Sequence, residues 1–365
     1  MICRLSPRHL APVVALALLA WPSTALPCAP APAEGQHVNV SREDALIVWD
    51  EEHHVEHFVR NAVFDTTAKS FGFLVPTPTK PQLAEARDAA FDTLRWMTRP
   101  WIVYQGEWAA YPVGCTMLPF LLVGGASVGA PAVAAAPAVT VVEQKRVAGL
   151  DAAVLAATSA DALGAWLGDH GFAMRDALKR WLAIYVAKSW MITAFRYTRP
   201  ELASNAPVPL DHLSASAVRL SFQTDAPVYP YLEPDDAADV PGRELHLFVA
   251  STHRMDGTLT DDGDKPWDAT TFFAGHVDGV EELAANLPGV DLPPRLWIDE
   301  QTDRATHRAA SDLVFRQAPA DVETHRPPEV VTERTGIPLP YELPFVVGGL
   351  WWWRRRRKRK AKSDA

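Results

Sequence analysis

Three apolar-rich runs near the start of the chain, "ALIVWD" from Ala45, "VEHFVRNAVFD" from Val55 and "SFGFLVPTP" from Ser70, follow one another with only polar residues between them. Runs of this length, rich in β-branched and aromatic residues and closed by turns, form strands rather than helices. The fold is therefore constrained to begin as a strand meander, with Glu51 to His54 as its first turn. The period then changes in "TKPQLAEARDAAFDTLRWM", where Leu83, Ala90, Leu94 and Met97 repeat at helical spacing. Thr79 with Gln82 three residues later has the form of a capping box and predicts the helix start.

Further on, "VTVVEQKRV" and "LDAAVLAAT" predict two strands, and two helices follow. Ser159 and Asp161 open the first, Leu163, Trp166 and Leu167 share its face, and Gly171 ends it. The second carries Leu178, Trp181, Leu182 and Tyr185 at offsets that place them on one core-facing stripe. "WMITAFRYT", "AVRLSFQTD" and "ELHLFVAST" predict more strands, the last two with alternating apolar residues. Strands and helices mix without a βαβ rhythm, which predicts an α+β fold with mixed or antiparallel sheets and about three packed helices. Between Met117 and Val139, Gly124, Gly125, Gly129, Pro131 and Pro137 break any helix, so a flexible inserted loop is expected there rather than a transmembrane span.

Both ends of the chain carry topological signals. Arg4 and Arg8, the apolar run Ala11 to Trp21 and the small residues Ser23 and Ala25 predict a secretory signal helix over 1–25, cut after Ala25, with lipidation at Cys28 after "ALPC" as the alternative that Pro27 disfavours. Removing it takes away Cys3 and leaves Cys28 and Cys115. In an oxidising compartment these two favour a disulfide, with two unpaired buried thiols as the alternative. Such a bridge would close 87 residues of chain and contribute roughly 4 kcal/mol in the chain-entropy picture.

At the other end, Ile337 to Trp353 would span about 26 Å if wholly helical, at the short limit for a bilayer. Pro338, Pro340, Pro344 and Glu342 interrupt it, leaving Phe345 to Trp353 unbroken. Trp351, Trp352 and Trp353 stand where an aromatic belt sits, and Arg354, Arg355, Arg356 and Arg357 open a run of seven cations, as at a cytoplasmic boundary. The expectation is a short membrane or sorting helix over 337–353 with a basic cytoplasmic tail over 354–365; an interfacial anchor and a free basic tail are the alternatives. Upstream, the charged, Pro-rich 317–336 reads as a stalk, and 26–316 as the exported body.

Charge bears on the partners. The chain has 35 Lys and Arg against 44 Asp and Glu. With signal and basic tail set aside, residues Leu26 to Trp353 hold 25 basic and 43 acidic residues, a net −18. Such a surface repels phosphate backbones, so no nucleic-acid partner is expected; membrane lipid is the expected partner of the tail, with an envelope protein of unknown identity for the body.

No strong catalytic signature is present, and no cofactor or metal is expected. His53, His54 and His57 in "DEEHHVEHF" suggest a zinc helix, but Glu56 is misplaced for His-Glu-x-x-His and the context is a hairpin. "GASVG" around Ser127 has the form of a nucleophile elbow, but Pro131 and Pro137 deny it the helix that must follow. Asp256 to Asp264, "DGTLTDDGD", departs from the EF-hand pattern at Thr258 and Thr260. An envelope hydrolase using Ser127 or a His53/His57 metal site is the alternative to a non-catalytic binding or structural protein.

Several segments occur in an order that resembles a bacterial family, domain of unknown function 2330: Cys28 just after a signal, "LIVWD" leading into a hairpin, "SFGFLVPTPTKP", Cys115, a low-complexity loop, and "VVEQKRVAGLDAAVLAATSADALGAWLGDHGF". "IYVAKSWMITAFRYT" and "VRLSFQTDAPVYPY" continue it. Where family members carry glycines after the first cysteine, this chain has "CAPAPA". The resemblance implies an exported envelope protein with a C-terminal membrane segment, and it implies no activity.

Overall fold

The computed structural model describes residues 30–32, 38–66, 68, 70–111, 140–198, 213–235, 244–306, 308–338 and 343–360. The signal segment, Cys28, Cys115 and the Gly/Pro-rich segment with Ser127 lie outside the described residues. The chain divides into two compact units, Met1–Arg99 with Gly129–His325, and Pro100–Val128 with Arg326–Ala365.

Strands β1 (Pro30–Pro32), β2 (Val38–Asp50), β3 (Val55–Thr66) and β4 (Ser70–Thr77) come first. β2 and β3 pair antiparallel as the predicted hairpin, and His54 takes a φ of 51° to close its turn. The expected helix from Thr79 is shorter than its pattern. Gln82–Glu85 is instead strand β5, and helix α1 spans only Ala89–Met97. Thr79 caps nothing: its hydroxyl donates to the Gln223 carbonyl at 2.6 Å. Burying Leu83 opposite Leu220 in a sheet outweighs the local helical spacing.

After β6 (Ile102–Tyr111), the elements β7 (Thr140–Val147), β8 (Leu150–Ala156), α2 (Ala160–Asp169), α3 (Asp176–Ala187) and β9 (Met191–Thr198) appear where their periods place them. The Ser159 hydroxyl accepts from the Ala162 amide as an N-cap should, and Gly171 follows α2 with a φ of 77°. Then come β10 (Leu213–Ser214), β11 (Val218–Gln223), β12 (Val228–Tyr229), β13 (Glu244–Ser251), β14 (Met255–Leu259), β15 (Lys265–Pro266), β16 (Thr270–Asp278), α4 (Glu281–Asn286), β17 (Arg295–Asp303), β18 (Leu313–Gln317), β19 (Glu329–Pro338) and α5 (Leu343–Lys360). The fold is α+β and mostly sheet, as expected, with five helices among the described residues: α1 to α4, against about three expected, and the separate C-terminal α5.

The first unit is layered. Its large sheet runs β16-β17-β13-β2-β3-β11-β5, with β10 beside β3, and a five-stranded sheet runs β1-β4-β9-β8-β7. One face of the large sheet packs on α1 and α4 through Leu46, Val48, Phe91, Leu94, Phe248 and Leu283. Its other face meets the five-stranded sheet through Ile47, Phe58, Phe73, Val154 and Leu247, together with the smaller sheet β12-β18-β14-β15. The far side of the five-stranded sheet is covered by α2 and α3. A sheet covered on both faces needs continuous apolar strands, so Ala45 to Val48 are all buried. Where α2 leads into α3, a Cβ on Gly72 would fall 2.0 Å from a ring carbon of Phe172; only glycine admits that approach.

In the second unit, β6 and β19 form a two-stranded parallel ribbon. Residues 329–336, expected within a Pro-rich stalk, are thus extended and paired: the Val-rich start of β19 finds a partner strand in Ile102 to Tyr104. The C-terminal helix starts only at Leu343, with Pro344 in its first turn, where a missing amide is tolerated. Its last seven residues are cationic, and its apolar part, Phe345 to Trp353, extends only about 14 Å against a hydrocarbon core of about 30 Å. No helix among the described residues is long and apolar enough to cross a membrane, so the expected transmembrane helix is not supported.

Candidate functional site

Turns from four parts of the first unit meet around an open cleft of about 300 Å³. The end of β2 and its hairpin turn supply Trp49, Glu51 and His54; the β11–β12 link supplies Asp225; the β13–β14 turn supplies Ser251 to His253; and β18 supplies Phe315 and Arg316. Trp49, Met255 and Phe315 give an apolar base, while carboxylates, imidazoles and a guanidinium form the rim. The Trp49 and His54 rings meet edge to face at 6.0 Å, and the Thr252 hydroxyl donates to Glu51 at 3.1 Å. His253 contacts Asp321 at 3.1 Å.

Two buried carboxyls lie in the strands behind this end. Burial pushes Asp299 up to about 6, although it accepts from the Met255 amide at 2.9 Å and the Trp297 indole at 3.0 Å. Glu56 is fully buried and accepts from the Val228 amide at 2.8 Å. Desolvation holds its affinity for a proton well above that of an ordinary carboxyl.

Ser251, His253 and Asp321 have the side chains of a catalytic triad but not its direction. The Ser251 hydroxyl donates to the backbone carbonyl of His253, not to its ring, so the imidazole has no proton to collect from it. A second serine and histidine meet at His57 Nδ1 and Ser221 Oγ, 2.8 Å apart across β3 and β11. Burial, reinforced by Arg219, lowers His57 to about 4, far below what a general base needs at neutral pH. Both arrangements suit structure and recognition better than acyl transfer.

Charged side chains also run through the interior. Arg60 Nε donates to Glu43 Oε1 at 2.6 Å with both groups buried. Arg308 lies 3.4 Å from Asp303 and 3.7 Å from Glu233, over the Tyr231 ring at 4.7 Å, and the Tyr231 hydroxyl donates to Asp303 at 2.8 Å. His246 sits between Glu300 at 2.7 Å and Asp44 at 3.3 Å. Burial opposes its charge, but those two hydrogen bonds and the acids' field prevail and raise its affinity for a proton.

The residues singled out from the sequence are not brought together. His53 is exposed and bound to Asp50 at 2.8 Å, His54 turns onto Trp49, and His57 is inside the sheet on Ser221, so the three histidines diverge; the hairpin leaves them no common side. Asp256, Asp261 and Asp264 each face a cation instead, respectively Arg254, Lys188 and Arg316. No group of metal-ligating side chains occurs among the described residues. Cys28, Cys115 and Ser127 lie outside the described residues. Trp351 to Trp353 and Arg354 to Arg356 are exposed along α5, which also includes Arg357. Of the cleft residues, the sequence singles out only the Glu51 to His54 turn; for the others the turn signals "TDAP" and "STH" are the local sign.

His57 gives the stability of the fold a pH dependence. Its folded-state affinity for protons is depressed, so its contribution is present above the ordinary 6.5 and is lost as pH falls toward about 4. The full interval would correspond to about 3 kcal/mol, discounted to about 1–2 kcal/mol for a ring that is only half-buried. His57→Gln keeps a polar partner for Ser221 without the titration. Urea unfolding of both proteins at pH 7 and pH 4.5 should show the variant losing less stability on acidification by that amount, and equal losses would refute the assignment.

Comparison with known proteins adds a family but no activity. No curated protein matches this chain. A solved structure titled crystal structure of baculovirus P35 aligns with 78% of this chain and 98% of its own, with 6% identity and a TM-score of 0.34, too weak a likeness to carry an argument. The profile of a bacterial family matches residues 22–304, most of the sequence and all of the cleft apart from its β18 side. The chain belongs to that family, described as an uncharacterized protein conserved in bacteria (DUF2330).

Proposed function

We propose that this protein is a non-catalytic binding protein of the bacterial envelope, exported by its N-terminal segment and held at a membrane surface by helix α5, with the loop-built cleft as its recognition site. The observation that carries the attachment is the order of side chains on α5. Trp351, Trp352 and Trp353 are 57%, 53% and 47% exposed, and the cations begin at the next residue. Arg355 and Arg356 lie 4.1 Å over the rings of Trp351 and Trp352. Indole rings beside guanidinium groups suit the headgroup region, where each cation near an anionic leaflet contributes about 1 kcal/mol. An apolar stretch of half a bilayer fits attachment at the interface better than a span. The acidic body would be repelled from the same surface, leaving the tail as the source of electrostatic attraction.

Cell fractionation with protease shaving tests this reading. The full chain should sediment with membranes, be released by high salt, and be digested from the extracytoplasmic side, and a chain ending at Gly336 should be soluble. A soluble full chain with an intact tail would overturn the attachment.

A further inference from the structure

We infer that the start of the β6–β19 ribbon is a second lipid-contacting surface, resting at the headgroup level of an anionic bilayer together with α5; the inference rests on the attachment proposed above.

Trp101, Ile102, Val103 and Tyr104 succeed one another along β6, 75%, 47%, 47% and 64% exposed, and Val330 on β19 is 54% exposed. In the parallel register Val103 lies beside Val330, so these two share a face while Ile102 and Tyr104 occupy the other. Both faces are therefore largely apolar and exposed at the same end, Trp101, Val103 and Val330 on one and Ile102, Tyr104 and Val331 on the other, where Glu329 beside Ile102 is the one acid. The Glu329 amide donates to the Trp101 carbonyl at 2.8 Å, which fixes the backbone from which this strip projects.

The form of the ribbon selects the occupant. A soluble partner, or a second copy of this chain, would pack on one face or extend one edge and leave the other face in water. A lipid interface surrounds both faces. Parallel strands are ordinarily covered on both sides, and an isolated pair of strands is marginal in water, so a surrounding medium also explains how the ribbon persists. Its depth is limited. Among the described residues β6 and β19 pair only with each other, so each keeps an outer edge of amides and carbonyls that hydrocarbon would penalise and headgroups with their water would satisfy. Residues 101–106 carry no charge. Electrostatic attraction must then come from the cations of α5, in the same unit, while the ribbon contributes apolar contact.

The test uses the full chain without its signal and vesicles of phosphatidylglycerol or of phosphatidylcholine, in a sedimentation assay at low and high salt. Three variants are compared with the wild type: the double variant W101S/Y104S, V330S on the neighbouring strand, and R354Q/R355Q/R356Q/R357Q. Wild type should bind phosphatidylglycerol more tightly. The double variant should bind roughly tenfold more weakly with an unchanged salt dependence, as expected for lost apolar burial, and V330S should follow with a smaller loss. The arginine variant should lose about two orders of magnitude at low salt. Unchanged thermal unfolding shows that each variant is folded; should the double variant unfold, V330S decides alone. If the ribbon variants bind like wild type while the arginine variant does not, the ribbon inference fails and the attachment stands. If no variant changes vesicle binding, both fail. If light scattering shows a wild-type dimer that the ribbon variants dissociate while vesicle binding is unaltered, the occupant is a second copy and the inference is overturned.

Discussion

Replacing Arg308 by methionine is expected to lower the unfolding free energy by about 3–5 kcal/mol at neutral pH, the range found when one member of a buried ion pair is removed. Arg308 is 4% exposed, and its guanidinium faces the carboxylates of Asp303 and Glu233. Methionine fills much of the volume but takes away the guanidinium that both buried acids face. Asp303 keeps the Tyr231 hydroxyl and the Ala305 amide, which soften the loss without neutralising the charge. Adding Asp303→Asn should recover part of the loss. Urea unfolding at pH 7 would show this, and a double variant no more stable than Arg308→Met alone would point to packing rather than charge.

Trp181→Ala is expected to cost about 3–5 kcal/mol through the cavity it leaves. The indole is 2% exposed, stands edge-on to Tyr185 at 4.9 Å, and donates from Nε1 to the Leu232 carbonyl at 2.8 Å. Trp181→Phe keeps most of the volume and removes the donor, so it should cost only about 1–3 kcal/mol, the penalty of an unsatisfied buried carbonyl. Thermal or chemical unfolding of the pair separates the two contributions. If alanine and phenylalanine cost the same, the hydrogen bond and not the cavity dominates at this position.

What could be read ahead of the structure was what short stretches decide for themselves. The β2–β3 hairpin, the Ser159 cap and the stripe of Leu178, Trp181, Leu182 and Tyr185 depend on neighbours within a few residues, and the structure places them as expected. Gln82 to Glu85 shows the limit, since its helical spacing yields to a partner strand that begins at Val218. The strand "RLWIDEQTD" carries no local strand signal because Asp299, Glu300 and Asp303 mimic a solvated loop; their partners Met255, His246 and Tyr231 stand 44, 54 and 72 residues away. The cleft was hidden for the same reason. Each contributing turn looks like ordinary polar surface, and only the pairing of β2, β13 and β18 with their neighbours brings the turns to one end.

The parallel pairing of β2 with β13 sets the order in which this protein can fold. Residues 42–48 must meet residues 244–250, so nearly 200 residues of chain have to be gathered before the large sheet closes. Until then the hairpin presents Ala45 to Val48 along an open edge, apolar on both faces. Contacts of such long sequence separation make folding slow, and an uncovered hydrophobic edge of this kind invites pairing with the wrong strand. The vulnerable period for this chain is therefore the interval between formation of its first hairpin and arrival of β13, and substitutions that place a charge on the β13-facing side of β2 would trade speed of closure against freedom from aggregation.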